Sequence, residues 1–392
     1  MSRARLSRLE GRWFVAWMCL VVALLGGCGE AKPPRPEAKT QPAALPSDEE
    51  LKRQLDEVID FTYRKRHLNT DDHAAWQILH GALAFGRQFK VRLGRDGELV
   101  SAVDHILDGG YMKGWIARPG VQFDGDRRGL KAILETGSKT GQGHDDQWLA
   151  VLAQCDLASD QTIRVGNQTY TMEDFVRQVL WDVPRNSEWS WTLIGLTTYL
   201  PMDQEWSASD GQTWSIERLV KREAEEDINN SACGGTHRLI GLAMALNEHR
   251  KQGGETTQVW QQAEERIQDA VDMARRFRED STGAFSTNYF RGEGSSPDLA
   301  QILATTGHTL ELLSLSLSDE QLHEPWVKRA ALHLCDVFRK TRDVNLECGA
   351  LYHATHGLVL YRERVFGKRS FSSSPKGRKS PAGGGDVPGD AS

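Results

Sequence analysis

The sequence lacks the short motifs that mark nucleotide sites, serine nucleophiles and zinc proteases. It contains no Gly-x-x-x-x-Gly-Lys-[Ser/Thr], no Gly-x-Ser-x-Gly, no His-Glu-x-x-His and no dinucleotide fingerprint. It also lacks an excess of positive charge: 48 Lys and Arg stand against 54 Asp and Glu, for a net charge of −6. Arg3, Arg5, Arg8, Arg12 and Glu10 fall within the first 27 residues, which leaves −9 on the remainder. Nucleic-acid recognition calls for a basic face, so this balance argues against a nucleic-acid partner. Cysteine is scarce, with six in 392 residues. What is present, 39% hydrophobic and 26% charged residues, suffices for a sizeable core and excludes global disorder.

Behind the four arginines, Trp13–Gly27 forms an apolar run of fifteen residues. A spanning helix needs about 20, so the run suits a secretory signal peptide. It ends in Leu25-Gly26-Gly27-Cys28, which resembles the lipobox of bacterial lipoproteins. That resemblance implies cleavage before Cys28, lipid on its thiol and new amino group, and a membrane as partner in the cell envelope. No twin arginine is present, which points to general secretion. Residues 28–47 carry Pro33, Pro34, Pro36, Pro42 and Pro46 without apolar periodicity and read as a tether. Lys368–Ser392, rich in Ser, Gly, Pro and Lys, reads as a disordered tail. The folded domain is therefore expected over residues 48–367. Four cysteines remain in it, Cys155, Cys233, Cys335 and Cys348. Cys155 and Cys335 lie in apolar runs and read as small core residues.

The strongest internal signal is a recurring, almost wholly apolar segment that opens on Trp or His. Its copies begin at Trp76, Trp148, Trp191, His237, His308 and His353, and two share Leu-Ile-Gly-Leu (Leu193–Leu196 and Leu239–Leu242). Helices apolar nearly all round are buried helices. The segments between them differ in kind. In Gln258–Asp280 the apolar residues Val259, Ala263, Ile267, Ala270, Ala274 and Phe277 recur every three or four positions, with charged residues in the gaps. That pattern predicts an amphipathic helix with one face to solvent. Weaker versions occur at 49–66, 172–182, 216–227 and 322–340. The anchors are spaced 72, 43, 46, 71 and 45 residues apart, and a two-helix repeat takes roughly 40–47. Turn-rich excursions at 94–126 and 281–298 account for the two long gaps, and a hairpin is expected at Ile163–Tyr170.

Six apolar helices, each paired with an amphipathic one, predict an all-α fold: an α/α toroid of about six helical hairpins with small β-hairpin excursions. An open stack of hairpins is the alternative. The pattern resembles the toroid of terpenoid cyclases and protein prenyltransferase β-subunits, and the (α/α)6 barrels of several glycosidases and polysaccharide lyases. That resemblance is one of architecture and implies no single chemistry. Asp-x-Asp-Asp and Asp-Asp-x-x-Asp are absent, and so is the Asp-x-Cys through which prenyltransferases help hold zinc. Terpene cyclisation is not expected.

A ring would gather the starts of its inner helices at one mouth. Trp76, Trp148, Trp191, His237, His308 and His353, with His356 one turn on, are then the candidate ligand-binding residues, and aromatics lining a funnel suit a sugar ring or an isoprenoid chain. The same side chains could equally plug the barrel. Asp145, Asp146, Glu188 and Glu347 precede inner helices, and two facing carboxylates, with His237 beside them, could cleave a glycan. Acids at helix starts are also favoured by capping alone. Cys233 with His237, and Cys348 with His353, could close a zinc tetrahedron, or Cys233 and Cys348 could form a disulfide, but neither spacing is a recognised signature. No metal and no cofactor are assigned. The leading expectation is a lipid-anchored envelope protein whose funnel binds an extended organic ligand, carbohydrate above all. The alternatives are a glycan hydrolase or lyase and a non-catalytic scaffold with a filled barrel.

Overall fold

Hydrophobic periodicity separates two kinds of helix in the computed structural model, which describes residues 44–135 and 137–371. The chain opens with α1 (Asp48–Lys65), β1 (Leu68–Asn69), α2 (Ala75–Phe85), β2 (Lys90–Arg92), β3 (Leu99–Ser101), α3 (Ala102–Leu107), β4 (Trp115–Gln122) and β5 (Arg128–Leu134). Then follow α4 (Gln147–Ala153), β6 (Thr162–Val165), β7 (Gln168–Thr171), α5 (Met172–Asp182), α6 (Ser190–Tyr199), β8 (Glu205–Ser207), β9 (Thr213–Ser215) and α7 (Ile216–Glu225). The rest is helical: α8 (Thr236–Lys251), α9 (Gln258–Phe277), α10 (Leu299–Ser316), α11 (Asp319–Leu322), α12 (Pro325–Lys340) and α13 (Cys348–Phe366). The expected signal peptide, Cys28 and most of the tether lie outside the described residues. No helix among the described residues is long and apolar enough to cross a membrane.

The six apolar segments are α2, α4, α6, α8, α10 and α13. Every residue of α4 is buried, as are Ser190–Thr197 of α6. Each of the six packs against the next, α2 on α4, α4 on α6, α6 on α8, α8 on α10 and α10 on α13, and α13 also packs against α2. The glycine shared by the two Leu-Ile-Gly-Leu copies explains part of this. A Cβ on Gly195 would stand 2.9 Å from Leu149 of α4, and one on Gly241 would stand 2.9 Å from the carbonyl oxygen of Ser190 on α6. The repeat thus marks a point of close approach of α6 to α4 and of α8 to α6.

The amphipathic segments bury one stripe each. Helix α7 buries Ile216, Leu219, Val220, Glu223 and Ala224; α9 buries Trp260, Ala263, Ile267, Ala270, Val271 and Ala274. Val259 and Phe277, the ends of the expected α9 stripe, are only partly covered. Pro325 opens α12 and divides the segment expected from 322 to 340. Between α2 and α4 no long amphipathic helix occurs. That stretch holds the short α3 and the β4–β5 hairpin, which packs on α5. The hairpin is fixed by polar contacts: the Val121 amide donates to Gln178 Oε1 at 2.7 Å, and Lys131 pairs with Asp182 at 2.7 Å. The expected hairpin at 163–170 forms as β6–β7.

At the C-terminus, composition assigned Lys368 onward to the tail, but its first residues are docked. Phe371 is buried against Tyr63 and Phe85, and Arg369 pairs with Asp56 and Asp60 of α1. An aromatic ring over an apolar cleft and an arginine opposite two carboxylates outweigh the polar composition around them.

Candidate functional site

Four of the six anchor residues sit where the repeat places them. Trp76, Trp148, Trp191 and His237 are each the second residue of their helices. His308 is the tenth residue of α10 and His353 the sixth of α13, because those helices start earlier than their apolar runs. These two are therefore not at helix starts, contrary to expectation.

The rings nevertheless converge. Trp191 meets His237 with centroids 4.9 Å apart; His237 lies 5.3 Å from both His308 and His353; His308 and His353 stack at 3.9 Å. His80 continues the series at 4.8 Å from His353 and 5.6 Å from Trp76, and His144 lies 5.0 Å from His237. Trp191, His237, His308 and His353 are each at most 5% exposed. The rings therefore pack on one another as a buried cluster, where an open funnel was expected. Trp148 turns away to pair with Trp115 at 5.8 Å.

Hydrogen bonds fix which nitrogens face inward. His308 Nδ1 lies 2.7 Å from the Ala304 carbonyl, which can only accept, so that nitrogen carries the proton. His353 Nδ1 donates to Glu311 Oε2 at 2.9 Å, and His356 Nδ1 donates to Oε1 at 2.5 Å. This leaves Nε2 of His308, Nε2 of His353 and both ring nitrogens of His237 buried without a partner. The sulfur of Cys233 and the rings of His237 and His308 bring ligand atoms within 4.8 Å of one another. Burial and the adjacent His308, His353 and His144 hold His237 well below the usual imidazole range. Burial, then His308, pushes His353 down to about 3 despite Glu311. For His308 burial acts the same way, but the Cys233 thiol, Glu311 and the Ala304 carbonyl outweigh it and raise its pKa. Burial opposes ionisation of Glu311, yet His353 and His356 hold it well below the usual carboxylate range.

The candidate carboxylates divide. Glu347 accepts from the amides of Gly349 at 2.8 Å and Ala350 at 2.7 Å, and so caps α13. Glu188 pairs with His144. Asp145 accepts from the amide and hydroxyl of Ser187 at 2.9 and 2.8 Å. Asp146 accepts from Asn186 and Thr192, both at 2.5 Å, and burial pushes its pKa up to about 6 against those two donors. Cys348 lies apart from Cys233. It accepts from Gln77 at 3.5 Å, burial pushes its thiol up to about 12, and both cysteines are free. Neither the disulfide nor a site pairing Cys348 with His353 and Cys233 forms.

Open space lies beside α4, on either side of Trp115. A cavity of about 270 Å³ is lined by Tyr111, Trp115, Trp148 and apolar residues of the hairpins. A second, of about 170 Å³, is lined by Asp145, Asp146, Asp182, Lys131, Arg185 and Asn186. Both share Trp115, Ala132 and Phe175.

The sequence reading missed Trp115 and Glu311 as site residues. Glu311 carried a signal, as the one charged residue between 299 and 316 in an otherwise uncharged helix. Comparison of the chain with protein-family models, curated proteins and solved structures returns no match.

Proposed function

We propose that this chain is a lipid-anchored cell-envelope protein with an α/α toroid that binds an extended organic ligand, carbohydrate above all, beneath its β4–β5 hairpin. The contact of α13 with α2 supports a closed ring over an open stack. The observation that carries the ligand reading is the pair of cavities about Trp115. One is walled by Trp148, Trp115 and Tyr111, the other by carboxylates, Lys131 and Arg185. Aromatic faces stack on the apolar faces of sugar rings, while carboxylates and cations take hydroxyl hydrogen bonds. The indole Nε1 of Trp148 is buried without a partner and is a further donor at this place. Tyr111, 68% exposed, stands at the outer wall as a surface for incoming ligand. The site is thus displaced from the centre of the rings to the flank of α4.

A second reading, glycan hydrolysis or elimination, is favoured by Asp146. A carboxyl with a pKa of about 6 keeps part of its population protonated near neutral pH, as a general acid requires. Asp145, beside it on the same cavity, is the candidate base.

The full chain screened against an array of neutral and acidic oligosaccharides, then by calorimetry, tests the proposal. Binding that weakens at least about tenfold, roughly 1.4 kcal/mol, in both Tyr111→Ala and Arg185→Ala is the expected result. Absence of binding, or binding that ignores both changes, would replace it with the scaffold reading.

A further inference from the structure

We propose that Cys233, His237 and His308 hold a divalent transition-metal ion, zinc above all, with His353 in the fourth position. The site is separate from the cleft about Trp115 and stands or falls independently of it.

Four facts converge on this place. The three donors already lie within 4.8 Å of one another, so an inward shift of about 1 Å would bring them to the spacing that metal bonds of about 2.0–2.3 Å impose on a tetrahedron. Four buried ring nitrogens, on His237, His308 and His353, have no hydrogen-bond partner. An unsatisfied buried polar atom costs about 1–3 kcal/mol, so a cluster of them is a poor way to fill a core and a good way to await a ligand. The outer nitrogens of two rings are fixed as donors, His308 to the Ala304 carbonyl and His353 to Glu311. Such outer contacts are how proteins orient metal-binding imidazoles and leave Nε2 with a free lone pair.

The fourth fact is the backbone that delivers the thiol. Cys233 has φ 50° and ψ 38°, a left-handed conformation unfavourable for a side chain with a Cβ. Gly234 and Gly235 continue with positive φ, and a Cβ on either would fall within 2.7 Å of Tyr289 or Ile228. The turn is packed in place with Cys233 facing His308. Strain of this kind persists where surrounding structure over-determines it, often at functional sites.

One sulfur and imidazole nitrogens select zinc or a neighbouring late transition metal over calcium or magnesium. Binding forms a metal–sulfur bond and releases the Cys233 thiol proton to solvent. The thiolate and Glu311 then offset the two positive charges of the ion, leaving the buried site neutral. The occupied site would tie α8, α10 and α13 together.

The full chain, stripped by chelation and titrated with zinc chloride and cobalt chloride, tests this. One equivalent should bind, cobalt should show a thiolate-to-metal charge-transfer band, and zinc should raise the thermal midpoint. Cys233→Ser should abolish the band, His308→Gln should weaken zinc binding at least tenfold, and Cys348→Ser should change neither. Alkylation of Cys233, followed by peptide mapping, covers the case in which those variants fail to fold. Saturating zinc should slow it at least tenfold in the unmodified sequence. No stoichiometric binding, binding indifferent to Cys233→Ser and His308→Gln, or alkylation unaffected by zinc would overturn the proposal.

Discussion

His308 and His353 stack across the α10–α13 interface with ring centroids 3.9 Å apart and 29° between their planes. Two glycines make that approach possible. A Cβ built on Gly307 would stand 2.5 Å from the Cα of Ala354, and one on Gly357 would stand 2.8 Å from the Gly307 carbonyl oxygen. The two backbones meet where side chains would otherwise hold them apart, which brings His308, next to Gly307, into contact with His353, next to Ala354.

Gly307→Ala should therefore destabilise the protein. In an exposed helix the change would gain about 1 kcal/mol from backbone propensity. Here the obstacle is main chain that cannot rotate aside, and overpacking of this kind costs about 1–3 kcal/mol. Chemical denaturation should show a lower midpoint with an unchanged slope. A higher midpoint would mean that the helices separate at little cost and that the close approach is not structural.

Glu311 holds His353 and His356 through one carboxylate, with both donors aimed at it. Glu311→Gln replaces one acceptor oxygen by an NH2 group, which must face an imidazole N–H or force its tautomer to change. If His353 completes the metal site, zinc affinity should fall about 10–100-fold, the usual effect of removing such an outer partner. Competition titration of folded variant measures this. Unchanged affinity would remove His353 and Glu311 from the site.

How far the sequence could be read is clearest at the anchors. The apolar runs located all six buried helices, and four of the six Trp and His anchors fell at the expected helix position. Burial of a whole helix leaves a compositional trace that no tertiary detail can erase. The arrangement of the side chains left no such trace. Trp148 is identical in sequence role to Trp191, yet it pairs with Trp115 of the β4–β5 hairpin, whereas Trp191 packs on His237. Nothing in the excursion's turns foretold that the hairpin would pack on α5. The carboxylates were visible, but Glu347 as a cap and Asp146 as a half-buried acid on a cavity could be told apart only by their partners. Cys233 and Cys348 looked equivalent beside their histidines, and the packing of separate helices set them apart.

Asp146 should impose a penalty on stability above pH 6. Its carboxyl titrates at about 6 in the folded protein, above the ordinary 3.8 that applies when the chain is unfolded. Between those values the folded state holds the proton more tightly, so stability falls as pH rises through that window and levels off above it. A shift of about two units corresponds to at most about 3 kcal/mol. Asp146→Asn removes the charge, keeps an acceptor for Asn186 and Thr192, and suits the left-handed backbone there, where φ is 58°. The variant should melt higher than the unmodified protein at pH 8, with the advantage vanishing near pH 4. A variant less stable at pH 8 would show that the charge itself is favourable. Loss of turnover on a glycan with binding intact would support the enzymatic reading.

The pKa of Glu223 is raised by burial too, but this carboxylate has a charged partner. It lies on α7 with 1% exposure and accepts from the Trp189 amide and the Ser190 hydroxyl, each at 2.9 Å, while Arg238 of α8 pairs with it at 2.8 Å. One carboxylate of α7 thus ties together the starts of α6 and α8, which place Trp191 and His237. Burial raises its pKa and Arg238 opposes that shift, so the pair is needed to keep the charge. Arg238 is itself 6% exposed and cannot reach water if its partner goes. Breaking one side of a buried pair costs about 3–5 kcal/mol, because the remaining charge is left uncompensated. Glu223→Ala should lose stability of that order. The double variant Glu223→Leu with Arg238→Met should recover much of it, since no buried charge remains. Denaturation of the three proteins side by side decides the matter. If the double variant is no more stable than Glu223→Ala, the pair acts by orienting α6 and α8, and the uncompensated charge is not the source of the loss.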